Sequence, residues 1–296
     1  MADSSIGRTA WARGLLSLVV AAWVWDARPA AHAAWAIFGP AAGRWSPPPP
    51  APVRPPVVLL IGDSNIFGSL GKALAQRLEQ RGFVVHRRGK PTSGLSRRDF
   101  FDWPREATAL IAATTPDLVL FMVGGNDHQR LESPGSSGTR IYWKEPEPWT
   151  AEYERRVREM ADVLRGPGRR AFFLSPTNRA PRIDREDALR VSRIQAAALE
   201  GLDGIAWIDT FALTTDATGR WLEGTRDASG RSILFRHGDG IHLTREGGEF
   251  VADRVLAVID QHGMLLCGPP VAAVHPPPPL PMRKRRGYPV LPAAAR

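Results

Sequence analysis

From Val57 onward the chain alternates short, continuous apolar runs with longer amphipathic stretches. Val57-Val58-Leu59-Leu60-Ile61 is apolar at every position and rich in β-branched residues, as a strand covered on both faces must be. Ser69 to Gln80 places Leu70, Ala73, Leu74 and Leu78 at helical intervals, which predicts an amphipathic helix. Phe83-Val84-Val85 reads as a second strand, and a helix is expected from Arg105 to Thr114. Leu118 to Val123 is a third strand, and Glu147 to Leu164 a helix stopped by Gly166-Pro167-Gly168. Ala171 to Leu174 and Ile205 to Ile208 are the fourth and fifth strands, with a helix from Asp184 to Leu202 between them. The last helix opens at the capping residue Thr244, with Glu246 in its first turn and Phe250, Val251, Val255, Leu256 and Ile259 on one face. Strands separated by helices in this way imply an α/β fold, a parallel sheet with helices on both faces.

Proline sets the borders of that pattern. The runs Pro47 to Pro56 and Pro276 to Pro281 form neither helix nor central strand and read as extended spacers. Within the 296 residues this leaves one domain at 57–266, a proline-rich linker at 34–56 and a basic, proline-rich tail at 267–296 expected to be disordered. Ahead of the linker, Arg8 and Arg13 precede an apolar run from Leu15 to Trp25, and Ala31-His32-Ala33 follows. That is the layout of a secretory signal over residues 1–33, with an uncleaved inner-membrane anchor as the alternative. The run is short of the ~20 residues that a spanning helix needs. Export to the periplasm or cell envelope is therefore expected.

The net charge of +9 comes from 39 Lys and Arg against 30 acids, spread along the chain except for Arg283-Lys284-Arg285-Arg286. No nucleic-acid recognition motif accompanies it, so no nucleic-acid partner is expected. The tail is read as solvated or as touching anionic envelope polymer or lipid. Cys267 is the only cysteine, which rules out a disulfide within the chain. His86, His237, His262 and His275 lack metal-ligand spacing, so neither a metal nor a cofactor is expected.

Chemistry concentrates where the predicted strands end. A serine hydroxyl is a poor nucleophile until a base takes its proton, and that base needs an orienting partner. Ser64 follows the first strand, and Asp239 and His242, three residues apart, would share one side of a helical turn. Asp239 could then fix the tautomer of His242, which would accept the Ser64 proton. Attack on a carbonyl places charge on oxygen, and the backbone N–H groups of Ser64 and Gly94 with the side-chain amide of Asn126 are the candidate donors for it. A glycine at 94 permits close approach of backbone to ligand.

Gly62-Asp63-Ser64, the lone Gly94, Gly125-Asn126-Asp127 and Asp239-Gly240-Ile241-His242, in that order, resemble the SGNH (GDSL) hydrolase superfamily. The resemblance implies a flavodoxin-like three-layer α/β/α sandwich with a five-stranded parallel sheet, and esterase or acyl-transfer chemistry. It implies Ser64, Asp239 and His242 as the triad and Ser64, Gly94 and Asn126 as the oxyanion donors. More narrowly, Ser93 to Pro104 and Gly125 to Gln129 resemble the bacterial subgroup called domain of unknown function 459, whose members are taken to be envelope proteins. Asn65 departs from the apolar residue usual beside the nucleophile.

Asp63, Asn65, Asp127, Asp99 and Trp103 are further candidates for substrate contact. For Asp127 the competing reading is a loop tie accepting backbone hydrogen bonds, and for Asp99, Asp102 and Trp103 a capped, packed loop. Tyr142, Trp143, Trp149 and Tyr153 read either as packing or as a sugar-stacking wall. Leu131 to Pro148 offers enough chain for a lid. The function expected from all this is an exported serine esterase removing short acyl groups, chiefly acetyl, from an envelope glycan or a small ester. An O-acyltransferase with the same triad and a non-catalytic envelope-binding module remain as alternatives.

Overall fold

A computed structural model describes residues 54–132, 140–180 and 185–263. The readings made for 1–33, 267–296 and most of 34–56 lie outside these. Five parallel strands form the sheet: β1 (Val57–Gly62), β2 (Val84–Gly89), β3 (Leu118–Met122), β4 (Arg170–Leu174) and β5 (Ile205–Ile208), in the order β2-β1-β3-β4-β5. The flavodoxin-like order expected from the resemblance is thus observed, with its switch point between β1 and β3, where such sheets open a crevice at the carboxyl ends of the strands.

Alternate residues of the central strands face opposite layers, as the strand period requires. Val58 and Leu60 of β1 join one core with α2 (Ser69–Gln80) and α7 (Arg245–Gln261), while Leu59 and Ile61 join the other. That second core is closed by α3 (Trp103–Thr114), α4 (Pro146–Leu164) and α5 (Arg185–Leu199). The result is three layers. α7 packs along α2, and Gly248 lets the backbones touch: a Cβ there would lie 2.6 Å from the carbonyl carbon of Ser69.

Several elements differ from expectation. The turn after β1 contains a short helix, α1 (Ser64–Phe67), capped by Asp63. β2 continues through His86-Arg87-Arg88 to Gly89, because an edge strand needs no apolar alternation on its open side. Another short helix, α6 (Thr210–Leu213), follows β5, and a hairpin of β6 (Gly224–Arg226) and β7 (Ser232–Leu234) precedes α7. Around the segment considered for a lid, Leu131 pairs with Ile141 and Glu132 bonds to the Ser96–Arg98 loop. Residues 133–139 lie outside those described. Among the described residues no helix is long and apolar enough to cross a membrane.

Candidate active site

Sheet register brings the first three motifs together. Gly62 at the end of β1 stands opposite Gly89 of β2 and Met122 of β3, so the loops carrying Ser64, Gly94 and Asn126 leave one edge side by side. Asp63 N–H donates to Met122 O (2.9 Å) and Lys90 N–H to Gly62 O (2.8 Å), which closes the three loop bases on one another. Asp63 caps α1 by accepting from Asn65 N–H at 2.9 Å, and Ser64 begins the helix.

The fourth motif arrives from the far end of the chain. His242 Nε2 lies 3.2 Å from Ser64 Oγ, and His242 Nδ1 lies 2.7 Å from Asp239 Oδ2. Asp239 and His242 do not sit on a helical turn, as their spacing suggested. They form a tight loop in which Asp239 Oδ1 accepts from the N–H groups of Ile241 (2.8 Å) and His242 (3.0 Å), while Oδ2 holds the imidazole. Burial acts to raise the Asp239 carboxyl, but these hydrogen bonds outweigh it and hold the group down at about 2. Asp239 is therefore ionised wherever His242 can act as a base, and an ionised partner at Nδ1 leaves Nε2 facing the serine.

On the other side, Asn126 donates one amide proton to Ser93 O at 3.0 Å and has a second to offer. Asp127 is wholly buried, accepting from Ser96 N–H (2.8 Å) and from Tyr153 Oη–H (2.7 Å). Gly94 is needed for this packing, since a Cβ there would lie 2.0 Å from Asp127 Oδ1. Arg156, itself buried, donates to the carbonyls of Leu95 (2.9 Å) and Ser96 (2.8 Å) and fixes the same loop from α4.

The candidates for substrate contact divide accordingly. Asp127 is the loop tie and not a substrate contact, because its carboxylate is consumed inside the protein. Trp103 is a correction of the same kind: it is buried against Phe121, and its indole N–H donates to Ser93 Oγ at 2.9 Å. Asp63 is also buried, facing Asn65, Arg179 and Asp127, and burial pushes its carboxyl up to about 6 against the Asn65 hydrogen bonds and the Arg179 charge. Asp99 is engaged by Arg97 in a paired salt bridge, and Asp102 binds Arg98. Asn65 alone of the five lines the cleft at Ser64. Trp149 and Tyr153 are stacked core residues and Arg190 covers Trp143 at 4.1 Å from the ring centre; of the four rings Tyr142 alone stands exposed, so they form no open wall.

The cleft itself measures about 260 Å³, with Phe67, Leu70, Pro91, Leu243 and His237 beside Ser64 and His242. None of its lining residues is an acid, a lysine or an arginine. A groove of about 380 Å³ between Pro146, Glu154 and Arg190 is larger, but it opens between the outer surfaces of α4 and α5 and holds no nucleophile with a base. Phe67, Pro91 and Leu243 were not singled out from sequence, nor were Arg179 and Arg236, and His237 was weighed only as a metal ligand. Arg236 is buried, donates to Ile241 O at 2.5 Å and so supports the His242 loop from below. Burial, then the charge of Arg179, lowers its guanidinium to about 9 despite Asp239. Among the described residues no cluster of three His, Cys, Asp or Glu side chains is placed to hold a metal.

A family model described as "Protein of unknown function (DUF459)" matches residues 57–258. Among curated proteins no sequence match was found. Similar solved structures include an acetylxylan esterase from Geobacillus stearothermophilus, 17% identical, with 69% of this chain and 93% of that chain covered at a TM-score of 0.43. A GDSL-like lipase from Bacteroides thetaiotaomicron is 14% identical, with 70% and 88% covered and a TM-score of 0.43.

Proposed function

The chain belongs to the family described as Protein of unknown function (DUF459), and from that premise we propose that it is a serine esterase working through an acyl-enzyme. The observation that carries the reading is the unbroken line from Ser64 Oγ to His242 Nε2 (3.2 Å) and from His242 Nδ1 to Asp239 (2.7 Å). Ser64 attacks the ester carbonyl as His242 takes its proton, and Asp239 stabilises the imidazolium that forms. The backbone N–H groups of Ser64 and Gly94 and the free amide proton of Asn126 receive the oxyanion. His242 then protonates the departing alcohol, and water drawn in by the same imidazole releases the acid.

Water serves as the acceptor in this reading. The His242 and Asp239 side chains are 47% and 44% exposed, so solvent reaches the acyl-enzyme directly. The uncharged lining of the cleft suits a neutral acyl group such as acetyl. The signal-like pattern of residues 1–33 supports an envelope setting and, with it, an O-acylated glycan as substrate. The test is turnover of p-nitrophenyl acetate, followed by acetate release from acetylated glycans. Wild type is expected to exceed Ser64→Ala in both, and equal rates in the first would end the reading.

A further inference from the structure

The segment that leaves β4, Ser175-Pro176-Thr177-Asn178-Arg179-Ala180, is buried at every residue. Its bonds reach two of the loops that make the site, and its charge reaches a third. Arg179 Nη2 donates to Gly125 O, one residue before the oxyanion candidate Asn126. The same guanidinium faces the carboxylate of Asp63, which caps the nucleophile helix. Gly125 lies between the two groups: a Cβ there would stand 2.6 Å from Arg179 Nη2 and 3.4 Å from Asp63 Oδ2. The next residue, Ala180, donates its N–H to Gly240 O at 3.1 Å, inside the Asp239–His242 loop. Behind it Asn178 anchors the segment, accepting from Arg179 N–H (2.7 Å) and donating to Thr215 Oγ1 (2.7 Å).

We infer that Arg179 is a positioning residue, a clamp that holds the Gly125–Asn126 loop against the Asp63–Ser64 turn and keeps both in register with His242. The inference rests on the esterase reading above, since it concerns how that site is held. A planar fork suits the task because one group can donate to a carbonyl while lying against a carboxylate, whereas lysine offers a single point of charge. Arg179 touches no reacting atom. Its effect therefore falls on the transition state, where the oxyanion must meet donors already in place, more than on substrate binding. Removing one partner of a buried pair also costs stability, so the melting temperature of each variant is read beside its rate and only the loss of turnover in a folded variant counts.

The experiment compares wild type, Arg179→Met, Arg179→Lys and Arg179→Ala in the full chain, by p-nitrophenyl acetate kinetics and by the rate of Ser64 labelling with a fluorophosphonate. Arg179→Met is expected to lose about 100-fold in kcat, the cost of an ångström-scale misplacement, with KM little changed and labelling slowed in parallel. Millimolar methylguanidinium is expected to restore much of the loss in Arg179→Ala and none in Ser64→Ala. Should Arg179→Met fail to fold, Arg179→Lys and the rescue of Arg179→Ala carry the same comparison. A folded Arg179→Met that keeps wild-type kcat overturns the clamp. So does a loss in Arg179→Ala that follows its melting temperature and ignores methylguanidinium. A wild type that neither turns over ester nor takes the label fails at the esterase reading itself, a result distinct from an active enzyme indifferent to Arg179.

Discussion

The two sides of the Ser64 cleft are built by opposite means. On the nucleophile and oxyanion side, Asp63, Asp127, Arg156 and Arg179 are buried, and their polar atoms hold loops together inside the protein. On the acid–base side, Asp239 and His242 are nearly half exposed and hang on a five-atom grip of backbone and carboxylate bonds, with Arg236 and the Ala180 N–H holding their loop from the protein side. The difference follows from what each side must do. Donors for an oxyanion act best when fixed and dry, whereas a base that passes protons to a leaving alcohol and takes them from water needs solvent access. Substitutions on the two sides should therefore separate activity from stability.

The largest effect is expected from Ser64→Ala, a fall in ester turnover on the order of 10⁵-fold or more without a change in melting temperature. Asp239→Asn comes next. It keeps the backbone bonds but presents an amide donor to Nδ1 and so selects the wrong tautomer, lowering kcat by about 10²- to 10⁴-fold in steady-state assays. On the buried side the order inverts: Asp127→Ala leaves Ser96 N–H and Tyr153 Oη–H without their acceptor. Urea denaturation should show a loss of about 3 kcal/mol there, while Asp239→Ala stays within about 1 kcal/mol because its site is open to water.

A further effect concerns pH. The folded Asp63 carboxyl is raised from 3.8 to about 6, so between those values the native state binds more protons than the unfolded one, and stability falls as pH rises. The fall amounts to about 3 kcal/mol at most, is complete above the folded value, and should vanish in Asp63→Asn, which retains a good helix cap. Asp239 runs the other way. Its folded value is depressed to about 2, so what it contributes is present above its ordinary 3.8 and is lost as pH falls through 2. Chemical denaturation of wild type and Asp63→Asn across this range distinguishes the two signs.

Much of the scaffold was legible because burial on both faces demands continuous apolar strands. The third and fifth strands, the Ser69–Gln80 helix and the Thr244 cap sit within a residue of where apolar period and capping chemistry place them. What escaped was either polar or short. β2 runs on through two arginines, and the β6–β7 hairpin has three residues a side held by pairing that no local pattern encodes. In the site, serine, histidine and the carboxylate beside it were legible because that chemistry requires those residue types near each other after folding. For Asp127 and Trp103 both an inward and an outward reading stayed open, since spacing along a loop does not tell one from the other. Arg179 and Arg236 were invisible among 39 basic residues. The one cue was position: Arg179 follows an apolar strand at the same sheet edge, between Pro176 and Pro181.

The contact of α7 with α2 has a bearing on the proton itself. Ser64 lies just ahead of α2 and His242 just ahead of α7, and the bare face of Gly248 is what lets these two helices lie backbone to backbone. The gap between hydroxyl and imidazole is thus gauged from below, by how near two rods can be laid. A single methyl at position 248 would act as a shim, widening the jump at the top of the sheet while leaving every reactive group intact.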